Sequence, residues 1–97
     1  MPSAKIASLV LLCAAVLAGC GRPATQQDCE LIIDRNVELQ MKLMQITDQT
    51  SIDKRKAEIR ASMGDQLKGC VGKRVTDKMM TCVKSAQSAD EIDQCLR

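Results

Sequence analysis

The chain has 97 residues, a formal charge of +2 and no Phe, Tyr, Trp or His, so it makes one small domain at most. Without aromatic rings it lacks the stacking platforms that hold single-stranded nucleic acid, and without histidine it lacks the commonest general base and metal ligand. A near-neutral charge also argues against nucleic acid as a partner, and the core must be aliphatic and methionine-rich. In chain order, Met1–Lys5 carries one positive charge, and Ile6–Val16 is an apolar run broken only by Ser8. The run is shorter than the roughly 20 apolar residues of a transmembrane helix. It has the length of the apolar centre of an export signal.

Leu17-Ala18-Gly19-Cys20 closes this segment. It resembles the lipobox of bacterial lipoproteins, at the usual distance from the start. The resemblance implies diacylglycerol on the Cys20 sulfur, cleavage between Gly19 and Cys20, and acylation of the new amino terminus. No Ala-x-Ala site is better placed for an ordinary signal peptidase. Gly21, not Asp, follows the cysteine, which by the sorting rule of such lipoproteins implies the outer membrane, facing the periplasm. Apart from this covalent lipid, no cofactor is expected. Each buried methylene contributes about 0.8 kcal/mol, so several acyl chains would anchor the protein permanently.

Cleavage leaves 78 residues and a charge of about +1, since Lys5 is the only charged residue removed. Residues 20–27 read as the lipidated cysteine and a polar tether containing Pro23. Residues 28–97 read as the folded domain, and all of it as helical. Cys29, Ile33, Val37, Met41 and Met44 form one stripe of a helix over 28–46, widened by Ile32, Leu39, Leu43 and Ile46. Thr47–Ser51 is a polar break, with Thr50 and Asp53 as a weak capping box. A helix running straight through it is the alternative, since the break holds no Gly or Pro. A second helix over 52–69 carries Ile52, Ile59, Met63, Leu67 and Cys70, with Gly64 inside it. Gly69 and Gly72 bracket a turn. A third helix over 73–86 carries Val75, Met79, Cys82 and Ala86. Ser88 and Glu91 then form a capping box for a short last helix with Ile92, Cys95 and Leu96. No strand signal is present.

Cys29, Cys70, Cys82 and Cys95 each fall on the apolar stripe of a helix, and an even number in a short exported chain favours disulfides. Three connectivities are open. The midpoint of Cys29 and Cys70 falls in the first break, and that of Cys82 and Cys95 in the second. Residues equidistant from a turn face each other in an antiparallel pair of helices. The expected bonds are therefore Cys29–Cys70 and Cys82–Cys95, and the expected fold is all-α: two disulfide-stapled antiparallel helical hairpins forming a small four-helix domain. A four-cysteine zinc site is the rival, but its usual ligand pairs lie two to four residues apart, whereas the gaps here are 40, 11 and 12 residues. A redox-active thiol pair lacks its Cys-x-x-Cys spacing. The segment Cys82–Cys95 loosely resembles the C-terminal hairpin of small uncharacterised myxobacterial lipoproteins, which implies a fold and no activity.

Glu30, Asp34 and Glu38 make an acidic edge on the first helix, which Arg60 and Lys68 of the second are expected to meet on a solvated flank. Lys73, Arg74 and Lys78 cluster at the start of the third helix, with Arg74 and Lys78 on one face. They are candidates for contact with anionic headgroups. No catalytic residue and no metal ligand is expected: paired cysteines leave no nucleophile, and there is no histidine. The functional expectation is a non-catalytic interaction or structural module at the membrane surface, with a protein partner in the envelope. The alternative is a chaperone similar in kind to pilotins, small lipidated helical proteins that hold a helix of an outer-membrane secretin in a groove.

Overall fold

The chain is mostly helical and carries two disulfides. The computed structural model describes residues 21–97, so the expected export signal and Cys20 lie outside the described residues. Among the described residues the order is β1 (Arg22–Pro23), α1 (Gln26–Leu43), α2 (Gln49–Ser62), α3 (Gly64–Cys70), β2 (Arg74–Val75), α4 (Asp77–Ser85) and α5 (Ala89–Cys95).

Helix α1 begins two residues earlier than expected because Thr25-x-x-Asp28 is a complete capping box. The Asp28 N–H donates to Thr25 Oγ1 at 3.1 Å, and the Thr25 N–H donates to Asp28 Oδ2 at 2.8 Å. At its other end α1 closes in a Schellman turn. The Ile46 N–H reaches back to Met41 O at 2.9 Å and the Gln45 N–H to Lys42 O at 3.0 Å. Gln45 takes the left-handed conformation, φ 59°, that such a turn requires. The polar break therefore ends one helix and starts another. The N-cap of α2 is Asp48, which accepts the Ser51 N–H at 3.0 Å, and not the Thr50–Asp53 pair.

The expected second helix is two. It ends at Ser62, turns at Met63 and restarts at Gly64. Glycine propagates a helix poorly. A Cβ on Gly64 would meet nothing within 4 Å, so close approach of another helix is not the reason for this glycine.

The expectation of no strands is also corrected. Arg22 pairs with Val75 and Pro23 with Arg74 in an antiparallel ladder. Ala24 extends it, donating to Lys73 O at 2.7 Å and accepting from the Gly72 N–H at 2.8 Å. The tether expected over 20–27 is thus part of the fold from residue 22 onward, and Ala24 is buried. Helix α4 starts at Asp77 behind Thr76, whose Oγ1 accepts the Met79 N–H at 3.0 Å. Arg74 consequently lies on a strand and shares no helical face with Lys78. At α5, Ser88 Oγ accepts the Glu91 N–H at 3.1 Å. The returning Glu91 carboxylate takes the Gln87 N–H at 2.5 Å, one residue before the cap.

The core gathers around α1. Cys29 packs with Ala24, Val75 and Met80. Ile33, Val37 and Met41 meet the half-buried Ile52, Ile59 and Met63 of the α2–α3 segment. Leu39 joins Val83, Ala86 and Ile92. Val83, Cys29 and Ile92 are the most completely enclosed side chains. The stripe expected on α1 holds as far as Met41 and then fails: Met44 is 54% exposed and Leu43 is 86% exposed. Both lie in the turn where α1 ends and no other element covers them.

Candidate functional site

The disulfides are Cys29–Cys70, with Cα atoms 6.1 Å apart, and Cys82–Cys95, 5.6 Å apart. These are the two pairs the spacing leads one to expect. The first fastens the start of α1 to the end of α3, and the second fastens α4 to α5.

The end of the molecule where the described chain begins carries a dense polar clamp. The Arg22 guanidinium grips the Asp28 carboxylate with both terminal nitrogens, at 2.6 and 3.2 Å, and its Nε donates to Asp77 Oδ1 at 2.9 Å. Asp28 thus serves the capping box and the clamp together. The hydrogen bonds from Arg22 and from the Thr25 backbone hold its carboxyl well below the usual carboxylate range, and the two acids push the Arg22 guanidinium upward. One arginine thereby joins β1 to the first turns of α1 and α4. None of these residues stands out by composition. Thr25-x-x-Asp28 is the one signal in the sequence that points to them.

Gly21 opens this segment with φ +100°, and a Cβ there would sit 2.9 Å from the Val75 carbonyl oxygen. Only glycine fits both demands. Beside it lie the three basic residues expected at a surface. Lys73, Arg74 and Lys78 are all exposed. Arg74 Nη1 donates to Gly21 O at 3.4 Å. The structure brings Lys73 and Arg74 to the strand next to the chain's entry and places Lys78 in the first turn of α4.

The acidic edge of α1 meets Arg60, as expected, and Lys56 in place of Lys68. Arg60 pairs with Asp34 through Nε at 2.8 Å and through Nη2, with Glu30 at 3.8 Å. Glu38 takes Lys56 at 2.8 Å and Arg35 at 2.9 Å. Burial pushes the Glu38 carboxyl up, but these two cations outweigh it and the net direction is down. Lys68 makes no ion pair among the described residues. Arg35 also donates to Ala86 O at 2.5 Å, which ties α1 to the end of α4. These groups pair across helix faces, and Arg35 Nε alone of them is buried without a hydrogen-bond partner.

The opposite end of α1 is open. A cleft of about 650 Å³ lies between the last turns of α1 and the α4–α5 connection, lined by Asn36, Leu39, Gln40, Leu43, Gln87 and Ala89 among others. A second opening of about 200 Å³ shares Asn36 and Gln40 with it and continues along α1 to Ile32, Ile59 and Met63. Together they trace a groove on α1 between its two sets of helical neighbours.

Among the described residues, no helix is long and apolar enough to cross a membrane. No family model, curated protein or solved structure matches the chain.

Proposed function

We propose that the chain is a lipid-anchored lipoprotein of the cell envelope, acylated on Cys20 and held at the outer membrane facing the periplasm. In this reading it acts as a non-catalytic interaction module, built as two disulfide-stapled antiparallel helical hairpins. The observation that carries it is the sequence Leu17-Ala18-Gly19-Cys20 running directly into a folded domain closed by two disulfides. Disulfides of this kind belong to an oxidising compartment. Intact mass and detergent partitioning of the protein from bacterial membranes test the reading. The expected result is a chain beginning at Cys20 with diacylglycerol and an N-acyl group, and Cys20→Ser leaving an unprocessed chain. A soluble product cleaved elsewhere would end it.

The groove along α1 favours the second reading, a pilotin-like chaperone that holds a partner's helix. Ile32 and Leu43 line it three turns apart on α1, and Leu43 is 86% exposed. Amphipathic helices dock in grooves of this kind through apolar anchors. Affinity capture from detergent-solubilised membranes separates the two readings. Recovery of an outer-membrane secretin, lost with Leu43→Lys, would support the chaperone. A different envelope protein retained by the L43K chain would exclude the groove as its binding site.

A further inference from the structure

We propose that the domain docks on anionic phospholipid through the segment from Val71 to Lys78, with Val71, Lys73, Arg74 and Lys78 as its contacts, at the end of the fold where the chain enters. The location of the anchor rests on the reading of Cys20 given above, whereas the segment belongs to residues 21–97 alone. Residue 20 is joined to Gly21 by one peptide bond, which sets their Cα atoms about 3.8 Å apart. Gly21 is pressed against β2, and Ala24 is bonded to the Gly72–Lys73 backbone on both its N–H and its C=O. No slack separates the anchor from the domain, so the surface beside Gly21 meets the headgroups.

That surface has the chemistry of an interfacial contact. Val71 is 45% exposed, one of only three large apolar side chains so exposed among the described residues. It stands in a turn held open by Gly72 at φ +90° and pinned by the Gly72 N–H on Ala24 O at 2.8 Å and the Lys73 N–H on Cys70 O at 3.1 Å. Lys73 and Arg74 follow after Gly72, and Lys78 lies in the first turn of α4. None of these three cations has an ion-pair partner among the described residues. Asp28 and Asp77, in the first turns of α1 and α4, are both engaged by Arg22. The result is three unpaired cations and one exposed valine on a single short segment, with Arg74 reaching Gly21 at the chain's entry. Three such cations near an anionic bilayer strengthen binding roughly a hundredfold at low salt, and screening removes most of that.

The chain has no aromatic residue, so a single introduced tryptophan reports without background. The mature chain, Cys20–Arg97, is coupled through the Cys20 thiol to a maleimide lipid in vesicles, with its disulfides intact. Val71→Trp reports on the proposed surface and Leu43→Trp on the far end of α1, an 18-residue helix about 27 Å long. Bromolipids in phosphatidylglycerol-containing vesicles should quench and blue-shift V71W and leave L43W unchanged. In phosphatidylcholine or in high salt, V71W quenching should fall. The uncoupled chain should bind anionic vesicles roughly a hundredfold more weakly after Lys73→Gln, Arg74→Gln and Lys78→Gln together, with unchanged helical circular dichroism. Equal quenching of both reporters, or quenching indifferent to lipid charge, overturns the proposal. Because the lipid is attached chemically, failure of the cell to acylate Cys20 shows up only in the mass of the native protein and leaves this result untouched.

Discussion

At its N-terminal end α1 is held by a capping box, by the Arg22 clamp, by a strand pair and by the Cys29–Cys70 bond. At its C-terminal end it is held by a Schellman turn and by the packing of Leu39 and Met41, with no staple or clamp, and Leu43 and Met44 face solvent. One helix thus connects the most fastened part of the molecule to the least covered part. A domain this small cannot bury enough apolar surface to be rigid throughout. It concentrates its restraints where the chain enters the fold, and leaves the far end with a groove.

The sharpest way to break the contrast is to remove a staple. Under the loop-entropy model, replacing Cys29 and Cys70 by Ser costs about 4 kcal/mol, and replacing Cys82 and Cys95 costs about 3 kcal/mol, because the first bond closes the longer loop. Urea unfolding of the two double variants measures both. The first loss should free β1 and the turn at Gly72 in hydrogen exchange, while the second should leave that end protected. Equal deprotection of β1 in both variants would mean that the two staples hold one cooperative unit.

Acid probes the clamp more gently. The Asp28 carboxyl lies below the usual range in the fold, while an unfolded aspartate titrates near 3.9. Its contribution is therefore complete above about pH 4 and is lost as the pH falls through the folded value. Glu38 acts in the same direction. Stability should be level from neutral pH down to about pH 5 and then decline. Asp28→Asn should flatten the acid limb and lower the plateau, since the amide cannot accept from Thr25 and Arg22 as a carboxylate does. Denaturant melts at pH 5 and pH 2.5 give the slope, and a D28N curve parallel to that of the native chain would assign the acid limb to other groups. Thr25→Ala, which removes the other half of the box, should cost about 1 kcal/mol.

How the two ends differ in legibility follows from the same physics. The stripe from Cys29 to Met41 and the mirror spacing of the cysteines are periodic, and period is what a sequence displays. The helical class, the stripe of α1 and both bonds could be read from it, but not the break at Met63 that divides α2 from α3. The strand pair could not: it is two residues long, contains a proline, and exists only because Gly21–Ala24 meets Gly72–Val75 across about fifty residues of chain. The docked entry looks like a tether in the sequence for that reason, although Thr25-x-x-Asp28 marks where the helix starts. The spacing of Met44 and Leu43 continues the stripe and so points to the core, yet both are exposed. Periodicity says which face a residue is on, but not whether a neighbouring element extends far enough to cover it. Of the candidate surface, the three cations were visible, but Val71 and the closeness of Gly21 were not, because both depend on that long-range pairing.

The smallest effects belong to the open end, and they sharpen the comparison most. Gln45 occupies the left-handed position that glycine ordinarily takes in a Schellman turn. Gln45→Gly should relieve that strain and, after the entropy glycine adds to the unfolded chain, raise stability by about 0.5 to 1 kcal/mol. Leu43→Lys should change stability by less than about 0.5 kcal/mol, since an 86% exposed side chain has little burial to lose. The pair of variants divides the reasons for which this end is loose. If Q45G stabilises the chain and leaves partner recovery intact, the left-handed glutamine is merely tolerated strain. If L43K leaves the melt unchanged and abolishes recovery of the partner, the leucine is held out of the core for contact with another molecule. An L43K chain that melts more than about 1 kcal/mol below the native one would mean that Leu43 is covered in solution, and the contrast between the two ends of α1 would fall with it.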